Sequence, residues 1–277
     1  MMKNRKKYVL ILGTLILLLT GCGKSDDEER DSFQSIDSVL ETDVNTYDNH
    51  EKQIKKKVHN KDESNTASPK VVVIDPGHAS SRTTDYEPVG PGAQETKMAS
   101  VIGTRGVSTG VYEYERVLQI SLLLREELQN RGYQVIMTKA NEDEVLSNIQ
   151  RAQIANDVNA DAFLRIHADA SDNSLDNGAM AMCITPDNPF VPLMYESSRM
   201  LADCVIDQYC RSTGFQNNGV VETDSMTGNN WSQVPCILLE LGYMTNTDDD
   251  QRLASADVQT AIVRGIADGL DLYFTGK

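Results

Sequence analysis

Two histidines and a few carboxylates are the residues of this chain whose types and positions could do chemistry. His78 follows the run Val71-Val72-Val73-Ile74-Asp75-Pro76-Gly77, and His167 follows Asp161-Ala162-Phe163-Leu164-Arg165-Ile166. Both runs have the composition of short buried strands, so each imidazole is predicted just past the end of a strand. In open α/β sheets that edge is where ligands bind. Two strands of one parallel sheet end on the same edge, so the two histidines can meet in space. The chain has only four His; the other two, His50 and His59, fall in a polar stretch and read as solvated. Glu113 sits at or before the first turn of a predicted helix. A carboxylate there can act simply as a partner of the helix dipole, and Glu115 competes with it for any further role. Two imidazoles beside a carboxylate form a ligand set for a metal ion.

Glu240 is a different case. It is the one charge in Val234-Pro235-Cys236-Ile237-Leu238-Leu239-Glu240-Leu241-Gly242-Tyr243, which reads as a buried strand. A carboxylate among leucines is costly unless paired or close to a cation. Burial raises its pKa and a nearby zinc ion lowers it again. A buried Glu beside a metal-bound water is what a general base requires.

The elements that must position these groups alternate. Val71 to Ile74 is a strand, closed by a turn that Pro76 and Gly77 impose. Ser80 to Gly110 shows no period and reads as a long irregular loop, one wall of a cleft. Glu115 to Arg131 is an amphipathic helix stopped by Gly132. Tyr133 to Thr138 is a second strand, and Ser147 to Asn159 a helix burying Ile149, Ala152, Ile154, Ala155 and Val158. Asp161 to Ile166 is a third strand and Gly178 to Thr185 a fourth. Pro192 to Cys210 is a helix with Met194, Met200, Leu201, Val205 and Ile206 inward. Gly214 to Ser232 is polar and turn-rich, a second candidate wall. Asp248 to Phe274 is a closing helix. This alternation implies an α/β fold with a mixed, largely parallel sheet and helices on both faces.

The 277 residues, 40% of them hydrophobic, suffice for one sizeable domain and a tail. A net charge of −15 argues against nucleic acid as a partner. The start of the chain carries an address. Lys3, Arg5, Lys6 and Lys7 precede an apolar run from Tyr8 to Leu19, which is too short for a comfortable membrane span and has the layout of an export signal. Leu19-Thr20-Gly21-Cys22 resembles the bacterial lipobox, which implies a signal peptide over 1–22 and acylation of Cys22. Residues 23–69 are a polar tether, too poor in apolar side chains to offset their conformational entropy. Cys183 and Cys236 lie in strand-like runs and read as small core residues; Cys204 and Cys210 sit on different faces of a helix, and no obligate disulfide is expected.

Taken together, VVVIDPGHAS, TGVYEYERVLQISLLLREEL, GYQVIMTK, RAQIANDVNADAFLRIHAD, NWSQVPCILLELGYMTN and AIVRGIADGL occur in that order from about Lys70 to the end. They resemble the zinc-dependent N-acetylmuramoyl-L-alanine amidases of the amidase type 3 family. The resemblance implies that His78, Glu113 and His167 bind Zn2+ and that Glu240 is the catalytic carboxylate. It favours Glu113 over Glu115 because Glu113 precedes the first buried Leu of the helix, Leu118, by five. It further implies a catalytic domain over 70–277 that cleaves the amide bond between N-acetylmuramic acid and L-alanine in peptidoglycan. With the lipid anchor, the protein would sit at the outer face of the cytoplasmic membrane, with or without an activator protein. The competing readings are a zinc peptidase acting on wall peptides and a non-catalytic lipoprotein that binds the envelope.

Overall fold

The computed structural model describes residues 68–276. The signal segment, Cys22, nearly all of the tether, His50 and His59 lie outside the described residues. In chain order the described elements are β1 (Val71–Pro76), β2 (Tyr86–Pro88), β3 (Thr96–Met98), α1 (Glu113–Asn130), β4 (Gln134–Met137), α2 (Asn148–Asp157), β5 (Ala162–Asp169) and β6 (Ala179–Cys183). There follow α3 (Tyr195–Thr213), β7 (Asn217–Glu222), α4 (Thr227–Asn230), β8 (Cys236–Tyr243), α5 (Thr247–Ala254) and α6 (Ala256–Thr275).

Six strands form one sheet in the order β4-β1-β5-β8-β6-β7. The first four are mutually parallel, β6 runs antiparallel to β8, and β7 is parallel to β6. The sheet is therefore mixed and largely parallel, as its alternating pattern implies. Its central strands are buried on both faces, which is why β1, β5 and β8 read as continuous apolar runs. On one face Ile74, Leu164, Ile166, Leu239 and Leu241 pack with α1, α3 and α6 through Val117, Leu124, Leu201, Val205, Ile262 and Ile266. On the other, Val73, Phe163 and Cys236 pack with Ala152 and Ala155 of α2 and with Trp231. Cys183 and Cys236 are buried, in keeping with a core role.

Several elements differ from the sequence reading. The Ser80–Gly110 loop contains a short antiparallel hairpin, β2 with β3. Gly214 to Ser232 contains a whole strand, β7, which pairs on one side only and so has no need of an apolar alternation. The closing helix is two helices, broken where Ser255 adopts an extended conformation (φ −74°, ψ 128°). His167 lies inside β5 rather than beyond it. Met200 is exposed because α3 buries the stripe Ser198, Leu201, Ala202, Val205, Ile206 and Tyr209, which leaves it on the flank. Val158 is exposed because it follows the last residue of α2. None of the described helices is long and apolar enough to cross a membrane.

Candidate metal centre

The carboxyl ends of β1, β5 and β8 bring the predicted groups together. The backbone N–H of Gly77 donates to the Ile166 carbonyl at 2.9 Å, which extends the β1–β5 ladder one step. A Cβ on Gly77 would lie 2.4–2.7 Å from three atoms of the His167 ring, so only glycine lets that imidazole lie across the backbone. The next residue, His78, has φ 61°, a left-handed conformation unusual for a residue with a side chain. Such backbone costs of order 1–3 kcal/mol and persists where its surroundings hold it. Here the His78 carbonyl accepts from Lys139 Nζ at 2.6 Å and from Arg151 Nη2 at 2.9 Å. His78 Nδ1 lies 3.1 Å from the Val101 carbonyl, which can only accept. Nδ1 therefore carries the proton and Nε2 presents its lone pair.

Glu113 and Glu115 part company at the start of α1. Glu115 folds back to accept from the Tyr112 N–H at 2.7 Å, an ordinary helix-start contact. Glu113 is buried and turns to the histidines. Its Oε2 accepts from the Thr104 N–H at 3.0 Å, and its Oε1 accepts from the Ala168 N–H at 3.2 Å. The same Oε1 lies 3.0 Å from His78 Nε2 and 3.2 Å from His167 Nδ1, and the two ring nitrogens are 3.1 Å apart. This is the one group of three potential ligand residues found among the described residues.

The donor set fits a metal ion. Three atoms rich in lone pairs face one point, and a single proton cannot satisfy all of them. Tetrahedral ligands of zinc stand ~3.4 Å apart, close to the three separations here. Burial raises the pKa of Glu113, but its contacts with His167 and His78 outweigh this and keep the carboxyl well below its ordinary range. Burial pushes His167 down to about 4, so its ring is neutral at physiological pH. Both groups are thus in the protonation states that ligate.

Glu240 stands in register with His167 on the neighbouring strand. It is buried, and its Oε2 has no hydrogen-bonding partner. Its pKa is pushed well above the carboxylate range, first by burial and then by the negative charges of Glu113 and Asp169, with Arg165 opposing. A cation at the triad would reverse much of that shift.

The sequence reading missed the supports beneath these groups. Asp75, fully buried in β1, accepts from Arg151 Nη1 at 2.6 Å, Thr138 Oγ1 at 2.6 Å and Arg165 Nε at 3.1 Å. Arg151 Nη1 also donates to the Pro76 carbonyl at 2.7 Å. Two strands and a helix are thereby fastened to the turn that carries His78. The sequence carries the charges but not their pairing: Asp75 and Arg165 are charges inside apolar strands, and Arg151 lies on the inner face of α2, where a charge is tolerated only when paired. The Ser80–Gly110 loop, expected as a cleft wall, supplies the Val101 and Thr104 contacts to two of the three ligands. A larger cavity of about 470 Å³, bordered by Lys70, Met194 and Phe274, opens at the opposite edge of the sheet, away from this constellation.

The chain is similar to known cell wall amidases. A family model described as N-acetylmuramoyl-L-alanine amidase matches residues 72–271. The chain is 27% identical over 216 residues to the probable cell wall amidase LytH of Staphylococcus aureus, a match covering 78% of this chain and 62% of LytH. The chain thus spans less than two thirds of the length of that relative. Among solved structures, the amidase Ami1 of Mycobacterium abscessus is 25% identical with a TM-score of 0.69, covering 76% of this chain and all of Ami1. The amidase AmiC2 of Nostoc punctiforme is 28% identical with a TM-score of 0.59, covering 74% of this chain and 97% of AmiC2.

Proposed function

The chain belongs to the N-acetylmuramoyl-L-alanine amidase family, and from that premise we propose that it is a zinc-dependent hydrolase of the amide bond joining N-acetylmuramic acid to L-alanine in peptidoglycan. The observation that carries this reading is the meeting of His78, Glu113 and His167 within 3.2 Å of one another, with Glu240 beside them on the next strand. Two His and one Glu leave a coordination position open, the mark of a catalytic rather than a structural site. When bound, zinc supplies a lowered water pKa and a Lewis acid for the amide carbonyl.

The chain's own residues do the rest. His78 and His167 ligate as neutral rings, and Glu113 contributes the negative charge. Glu240 takes the proton of the attacking water and hands it to the leaving amine of alanine. Its Oε2, buried and without a hydrogen-bonding partner, is free to hold that proton between the two transfers. The lipobox-like Leu19 to Cys22 supports attachment to the outer face of the cytoplasmic membrane, where the substrate lies.

The test is zinc content and hydrolysis of purified wall by the protein and by Glu240→Ala. The expected result is a new N-terminal alanine on released peptides, lost in the variant by 10²-fold or more while zinc is retained. Release of any other N-terminus, or an unimpaired Glu240→Ala, overturns the assignment.

A further inference from the structure

Behind the triad lies a small cavity of about 50 Å³, bordered by His78, His167, Ser100, Asn148, Arg151 and Arg165. Two buried side-chain atoms among these residues have no hydrogen-bonding partner: Ser100 Oγ and His167 Nε2. The other polar groups are already engaged. Arg165 donates to Asp75, to Asn148 Oδ1 at 2.7 Å and to Asn229 Oδ1 at 3.4 Å. Arg151 donates to Asp75 and to the Pro76 and His78 carbonyls. Asn148 Nδ2 donates to Glu87 at 2.8 Å and to the Ala99 carbonyl at 3.2 Å.

We propose that an ordered water, held in this cavity by Ser100 Oγ, accepts the proton of His167 Nε2 and so fixes His167 in the tautomer that offers Nδ1 to the metal; Ser100 is then a positioning residue. This rests on the metal reading above.

The argument is one of polarity. His167 Nδ1 faces the triad, so in the ligating state Nε2 must carry the proton and needs an acceptor. A metal-bound histidine almost always finds such a partner for its other nitrogen. Yet the charged groups bordering the cavity are guanidinium donors. A donor aimed at Nε2 would draw its lone pair, move the proton to Nδ1 and disable the ligand. Water resolves the conflict because it accepts from the imidazole and donates to a hydroxyl. Ser100 Oγ is the unengaged acceptor that can take that donation. The space suffices, since one water needs about 10–15 Å³ of such volume together with two to four polar partners.

The test compares Ser100→Val with Ser100→Thr in the full-length protein. The two replacements have nearly the same shape, and only Thr keeps the hydroxyl. Zinc affinity is read by competition with a chromophoric chelator, and folding by thermal unfolding of the metal-free proteins. The expected result is a 10–100-fold loss of zinc affinity in the Val variant, near-native affinity in the Thr variant, and similar unfolding temperatures. Equal zinc affinities in the two variants overturn the proposal. A high-resolution crystal structure of the unaltered zinc-loaded protein decides independently of both variants. A water within hydrogen-bonding distance of His167 Nε2 and Ser100 Oγ supports the proposal, and a dry cavity overturns it. Failure of the unaltered protein to bind zinc overturns the metal reading as well, which separates the two failures.

Discussion

Asp75 carries no chemistry of its own in the proposed reaction, yet the active turn hangs on it. Its carboxylate is fully buried between two arginines. Burial alone would raise its pKa, but Arg151, Arg165 and the Thr138 hydroxyl pull it far below the ordinary range. Removing one partner of a buried ionic network leaves uncompensated charge, so Asp75→Asn is expected to destabilise the domain by about 3–5 kcal/mol at neutral pH. The pH dependence follows from the sign of the shift. A carboxyl whose folded pKa is depressed stabilises the fold above its unfolded pKa, about 3.9. That contribution fades as pH falls through the unfolded value towards the folded one. Urea unfolding of both proteins should therefore show a difference that is constant at neutral pH and shrinks below about pH 4. Residue-level reading of the sequence singled out His78, His167 and Glu240 as an imidazole or a charge in or beside an apolar run, and the structure brings them to one sheet edge. It passed over Asp75, Arg151 and Arg165 because their mutual pairing, which makes their burial tolerable, is visible only in three dimensions.

Among the elements, the β1 turn shows how backbone geometry limits what a site can be built from. Gly77 lies beneath the His167 ring, and an added Cβ would meet it at 2.4 Å. Gly77→Ala is expected to displace the imidazole, lowering zinc affinity and wall hydrolysis by at least 10-fold while the far-ultraviolet circular dichroism spectrum stays unchanged. Retained zinc affinity would show that the ring can shift without loss. The central strands and α1 were legible because burial on both faces, or on one stripe, writes a pattern into the sequence. β7 was not legible. Its half-exposed edge position admits Asn217, Asn218 and Gly219, residues that read as a turn. The split between α5 and α6 was also hidden, because apolar spacing continues across Ser255 and the break lies in one residue's backbone.

For the molecule as a whole, the proposed attachment to the membrane rests on the start of the chain. If Cys22 is the acylated residue, Cys22→Ser should move the protein from the membrane fraction to the soluble fraction while hydrolysis of purified wall continues. An unchanged distribution would show that another feature holds it in place. A chain of charge −15 gains nothing from approaching an anionic surface by electrostatics. The motif order from Lys70 onward carried the family, whereas the charged underpinning of the triad and the cavity behind it emerged only from packing.

The antiparallel junction between β8 and β6 has one more outcome. Because β6 begins where β8 ends, with Met180 opposite Glu240, residues 170–178 leave β5 and enter β6 on the same rim, the one bearing the histidines. Leu175 there is 78% exposed, and the Gly178 N–H is pinned to Asp249 at 2.8 Å. That crossing passes over the end of β8 between fixed ends, so its length can change without disturbing a strand.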